Sequence, residues 1–217
     1  MPEGHSTFSP ERIKALTDGV IAIVITLLVL ELSVPVVSEI PGSEGLWPEL
    51  RGEWRGYVAY LMSFFLVGLL WLYHHTVFRH IRAADGRLLF LNMLFLLAVS
   101  VTPFTSALVA NNWTERLAAI VYGSSLFLAV AANAATFSYA SWRRRLLDGD
   151  LPASFVRREN LSALGLLTLL AGGTLLGFIN SVWTYAVLGS IIVFYWTTAL
   201  LNREGVSVHR RSTTTPS

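Results

Sequence analysis

Apolar residues in this chain gather into long runs separated by short polar segments. Six runs, at 18–35, 56–73, 88–110, 117–140, 161–180 and 182–201, come close to the roughly 20 residues that a helix needs to cross about 30 Å of hydrocarbon. The second is short on its uncharged count, and His74, His75 and Phe78 extend it into the headgroup layer. Only the few residues around Ser181 part the last two, which predicts a helical hairpin with hardly any exposed turn. Asp18 precedes the first run and no small-residue cleavage site follows Leu32, so a secretory signal peptide is a poor account of it. The pattern predicts an all-α integral membrane protein with six transmembrane helices. Residues 1–205 form the membrane domain and residues 206–217 a flexible cytoplasmic tail.

Composition points the same way. With 53% apolar and 14% charged residues, the 217-residue chain has too little polar sequence to wrap a soluble helical core. The absence of cysteine excludes a disulfide scaffold and a thiolate metal cluster. Charge then sets the orientation. With a cytoplasmic N-terminus, only Arg51, Arg55 and Arg116 fall outside, and the other thirteen of the sixteen basic residues fall inside. Glu39, Glu44, Glu49 and Glu53 crowd the first outer loop. Both termini are therefore expected in the cytoplasm. Topology accounts for the run Arg143, Arg144 and Arg145 after Trp142 without a nucleic-acid partner, and none is expected.

The first helix carries the densest polar pattern. Arg12, Thr17, Asp18 and Gly19 stand immediately ahead of a β-branched apolar run. A carboxylate at the edge of hydrocarbon is costly unless paired or hydrogen-bonded, so Asp18 needs a partner, with Arg12 and the nearer Lys14 as same-helix candidates. Gly19 would let another chain segment approach closely. Ile23, Leu27 and Leu30 recur at intervals of four and three along one face, with Thr26 beside them. Periodicity alone reads that stripe as helix packing.

The segment from Arg12 to Leu32 is more specific. It resembles the prokaryotic members of the TMEM175 family of cation channels, whose first helix carries an arginine, three variable residues and then Phe-Ser-Asp-Gly before an Ile/Thr/Leu-rich span. Here the arginine is Arg12 and the tetrad is Leu16, Thr17, Asp18 and Gly19. Threonine keeps the serine hydroxyl, whereas leucine keeps bulk and loses the ring. Trp71, His74, His75 and Phe78 resemble the family's second-helix signature, and Asn92 with Pro103 and Phe104 its third-helix pattern. The resemblance implies a homotetramer in a prokaryotic cytoplasmic membrane, with four first helices around a path for potassium and other monovalent cations. It makes Ile23, Leu27 and Leu30 the pore constriction and gate, Ile23 the narrowest layer, and Thr26 the hydroxyl associated with selectivity.

No Thr-Val-Gly-Tyr-Gly-type filter loop is present, so conduction would use helix-borne side chains and retained hydration water, with modest selectivity for potassium over sodium. Glu31 and the outer carboxylates would either concentrate cations or simply solubilise the loop. His74 and His75 point about 100° apart on a helix, which disfavours a shared metal site. One imidazole is expected to hydrogen-bond to Asp18 or a backbone carbonyl, with protonation-linked gating as a second reading. Asn92, Asn133 and Asn180 read as interhelical hydrogen-bonding groups, and Gly173 with Gly177 as a close-packing pair. Pro103 is expected to bend or loosen the third span. An ion-coupled transporter and a noncatalytic oligomeric scaffold stay open as alternatives. No enzyme constellation and no cofactor motif is present, and the partners expected are cations, membrane lipid and further copies of the chain.

Overall fold

The computed structural model describes residues 9–34, 45–142, 146–147 and 151–211, with side chains omitted at Ala199 and from 202 onward. Glu39, Glu44, Arg143, Arg144, Arg145 and Thr213, Thr214, Thr215 lie outside the described residues. Regular structure among those residues is helical, apart from one isolated bridge between Ile81 and Leu147. The helices are α1 (Pro10–Leu27), α2 (Leu46–Gly52), α3 (Trp54–Phe78), α4 (Gly86–Ser100), α5 (Thr102–Asn111), α6 (Arg116–Trp142), α7 (Ala153–Leu176) and α8 (Ser181–Arg211). Among the described residues, five segments are long and apolar enough to cross a membrane: Pro10–Glu31, Trp54–Phe78, Gly86–Asn111, Arg116–Trp142 and Ala153–Leu176. The apolar run at 182–201 lies within α8, whose backbone stays helical through Arg211, past the expected start of the tail.

Local chemistry explains most helix boundaries. Pro10 occupies the first turn of α1, where a missing N–H costs nothing. Asp85 caps α4 by accepting from the Leu88 N–H at 3.0 Å, and its second oxygen accepts from the Tyr139 hydroxyl at 2.7 Å, fastening the start of α4 to α6. The third apolar run breaks between Ser100 and Thr102, and Pro103 sits in the first turn of α5. Proline thus interrupts this span, as its lost donor requires. Asn180 joins no second helix by its amide. Its Oδ1 accepts from the Val182 N–H at 2.9 Å and caps α8, because a residue just ahead of a helix meets that helix's orphan N–H groups first.

Within the bundle, hydroxyls join helices where lipid offers no water. Ser63 on α3 donates to Ser106 on α5 at 2.8 Å, and Ser106 donates to the Ala59 carbonyl at 3.4 Å. Ser63 has one proton and spends it on Ser106, so the Tyr122 hydroxyl of α6, also 2.8 Å away, donates to Ser63. Asn133 is the exception. It is buried, and neither its amide nitrogen nor its oxygen has a hydrogen-bond partner among the described residues.

Gly173 on α7 and Gly177 at its C-cap pack against α8. A Cβ on Gly173 would lie 2.7 Å from Val187 Cγ1 and 2.9 Å from Val187 Cβ, and one on Gly177 would lie 2.7 Å from Thr184 Oγ1. That approach lets the Thr184 hydroxyl donate to the Gly173 carbonyl at 2.9 Å. Gly173→Ala is therefore expected to cost about 1–3 kcal/mol of stability by overpacking. Val187→Ala in the same chain should recover part of the loss, because it removes the nearer of the two contacts. Unfolding of the single and double variants in detergent checks this.

Candidate pore helix and its anchoring network

α1 divides lengthwise. Ile13, Thr17, Ile21, Val24 and Leu28 are buried against the subunit's own helices, chiefly α3, α4 and α5. The opposite side is bare. Ile23 is 59% exposed, Leu27 41% and Leu30 73%. Leu16, Asp18, Gly19 and Arg12 are exposed as well. At about 100° per residue, Arg12, Leu16, Gly19, Ile23, Leu27 and Leu30 form one longitudinal stripe, with Thr26 on its flank. After Leu27 the helix tightens into a 3-10 turn over Leu28–Glu31. Residues three apart eclipse in that geometry, which holds Leu30 above Leu27.

The N-terminal half of the buried side is held by two sets of bonds. In the first, Asn92 of α4 donates from Nδ2 to Thr17 Oγ1 at 3.1 Å, and His74 of α3 approaches Asn92 Oδ1 with Nε2 at 3.0 Å. Because Oδ1 can only accept, His74 donates there from a protonated Nε2. Its ring lies between two aromatic faces, 4.3 Å from Phe78 and 5.1 Å from Phe95, tilted by 25° and 12°. In the second set, Trp71 donates from its indole nitrogen to Asp18 Oδ1 at 2.8 Å, and its ring lies 5.7 Å from that of His75.

Several sequence expectations change here. Asp18 pairs with neither Arg12 nor Lys14, since among the described residues no cation lies within 4.0 Å of it. The indole of Trp71 on a neighbouring helix takes that place. His74 bonds to Asn92 rather than to Asp18 or a backbone carbonyl, and it is buried while His75 is exposed, as adjacent helical positions require. Among the described residues nothing lies within 4 Å of where a Cβ on Gly19 would stand, so none of the described elements uses the room it leaves. Phe95 went unnoticed in the sequence. Its spacing of three from Asn92 on α4 was the available sign, because it puts the ring on the amide's own face.

Thr26 is exposed, and its hydroxyl donates to the Ile23 carbonyl at 2.8 Å. The proton is thereby turned toward the helix backbone. A hydroxyl has two lone pairs, and those remain on the oxygen to accept a hydrogen bond or meet a cation.

Comparisons with known proteins agree on one family. The family model described as endosomal/lysosomal potassium channel TMEM175 matches residues 12–103. A potassium channel from Streptomyces collinus is 35% identical over 191 residues, covering 85% of this chain and 90% of the relative. The human endosomal/lysosomal proton channel TMEM175 is 34% identical over 190 residues, covering 82% of this chain but 37% of the longer relative. Among solved structures, a lysosomal potassium-selective channel TMEM175 homolog from Chamaesiphon minutus superposes with a TM-score of 0.77 at 28% identity, over 87% of this chain and 97% of that one.

The two bond sets differ in burial, which ranks their energetic weight. Asn92→Leu strands Thr17 and His74 in an apolar core and is expected to destabilise by about 1–2 kcal/mol. Trp71→Phe frees a carboxylate that water can reach and should cost less than about 1 kcal/mol. Unfolding free energies of the two variants in bicelles test this order. A larger loss for Trp71→Phe would place the main anchor at Asp18 instead.

Proposed function

The chain belongs to the TMEM175 family, and from that membership we propose that it forms a potassium-permeable cation channel. It is an integral membrane protein of a channel family rather than an enzyme family. Six spans with both termini in the cytoplasm, assembled as a homotetramer in a bacterial cytoplasmic membrane, are the arrangement this reading requires. The concentration of thirteen of sixteen basic residues on one side supports that topology. The relative from Streptomyces, a bacterium, supports that membrane.

The observation that carries the reading is the bare aliphatic stripe of α1 on a helix whose other side is fixed by hydrogen bonds. Four such helices around an axis put rings of Ile23, Leu27 and Leu30 along the path, with Ile23 the narrowest. These side chains offer no oxygen, so an ion crosses with its water. Narrowing by about a methyl radius would empty the passage and close it. The Thr26 oxygens, each with its proton already given to a backbone carbonyl, would replace part of the shell of a passing cation. Because potassium surrenders water more readily than sodium, the preference is modest. Proton permeation is a second reading, favoured by the human relative's name and by a path that keeps water.

Flux from liposomes holding potassium, sodium or a bulky organic cation tests this, with a pH-sensitive dye reporting protons. Ile23→Ala is expected to raise conductance, and Thr26→Val to lower the potassium-over-sodium ratio by up to about fivefold, the equivalent of roughly one hydrogen bond. If both variants assemble and permeation is unchanged, α1 does not line the path. Saturable turnover without discrete current steps would instead identify a transporter.

A further inference from the structure

Helices α3, α6, α7 and α8 leave a slot of about 750 Å³ between them, with no residue of α1 in its lining. That is within the range of about 300–1,000 Å³ typical of small-ligand sites. Most of its wall is hydrocarbon, including Leu66, Leu126, Leu170 and Ile191. Toward the start of α7 the lining turns polar at Arg158, Glu159 and Ser162. Arg158 and Ser162 also line an open recess that adds Ser154 and Arg157, so an apolar slot and a basic mouth meet through shared residues.

We infer that this slot and mouth bind one anionic glycerophospholipid, with an acyl chain between α3 and α7 and the phosphate at Arg157 and Arg158. The inference rests on membrane placement alone and is independent of the conduction path. Two features favour this occupant. A hydrophobic slot inside a bilayer draws no water, since a buried water needs two to four polar partners, but it accepts a lipid tail at little cost. The mouth carries a net positive charge. Arg158 is 73% exposed and meets Glu159 Oε1 at only 3.7 Å, a loose surface pair. Among the described residues no carboxylate lies within 4.0 Å of Arg157. Planar guanidinium groups match phosphate oxygens in pairs, and basic recesses between membrane helices on the cytoplasmic side suit anionic headgroups.

Native mass spectrometry of the full chain in detergent, titrated with phosphatidylglycerol or phosphatidylcholine of equal chain length, tests the site. Phosphatidylglycerol should be retained at least about fivefold better, the effect of one arginine at a membrane surface. Arg157→Gln with Arg158→Gln should abolish that preference, and both changes are at exposed positions. Ala163→Phe, which fills the slot, should lower retention of both lipids. Equal retention of the two lipids by the unaltered chain would overturn the proposal. So would a preference that survives loss of both arginines, or displacement of the lipid by glycerol phosphate lacking acyl chains.

Discussion

The contact on which the rest depends is the buried trio of Thr17, Asn92 and His74, one residue from each of α1, α4 and α3. Aliphatic packing alone would not fix the rotation of α1. Ile21 and Val24 on its buried side are nearly interchangeable with Ile23 and Leu27 on its bare side, and rotation about the helix axis exchanges them at little cost in a lipid solvent. A hydroxyl, an amide and an imidazole are not interchangeable with anything around them. Each is satisfied only when all three helices stand in one register, and an unsatisfied polar group in hydrocarbon is expensive. The stripe of Ile23, Leu27 and Leu30 faces away from the subunit because Thr17 must face into it.

An exposed aliphatic stripe would be a liability in water and is ordinary against lipid. On the proposed reading, what would separate α1 from a lipid-facing helix is the sequence in line with the stripe. Arg12 and Gly19 share its longitudinal position, and the space over Gly19 is left open by the described residues. Asp18 stands further round the helix, held by the Trp71 indole at the border between α1 and α3. That bond fastens α1 to α3 through a neutral donor rather than through a second charge.

How much of this was legible in the sequence depended on whether the governing interaction was local. Apolar length marked the spans, and Pro103 marked the break between α4 and α5, since each effect acts within one helix. Of the residues that carry the family resemblance, Asp18 bonds to Trp71 and His74 bonds to Asn92, whereas Arg12 stays on the exposed stripe. Their pairing was not legible. Charge complementarity suggested Lys14 for Asp18, but the partner came from another helix and was a neutral donor. The three asparagines make the same point, for Asn92 joins helices, Asn180 caps one, and Asn133 is buried without a partner among the described residues. Nothing in the local sequence distinguishes those fates, because each is set by what stands opposite.

The proposed path also explains why a hydrophobic constriction sets a ceiling on selectivity. A carbonyl filter discriminates because successive oxygen layers replace the whole hydration shell. In a tetramer, Thr26 supplies one hydroxyl per subunit, and its donation to the Ile23 carbonyl ties the oxygen to the helix backbone. Such a ring replaces only a fraction of the shell, while the leucine and isoleucine layers on either side replace none. The energy separating potassium from sodium is then the difference in stripping a few waters, worth a hydrogen bond or so rather than a full dehydration. The same aliphatic layers give a strong dependence on pore width, since water leaves a hydrocarbon passage abruptly once it narrows. On this proposal such a pore would close tightly and discriminate weakly, because one set of side chains would provide the gate and withhold the ligands.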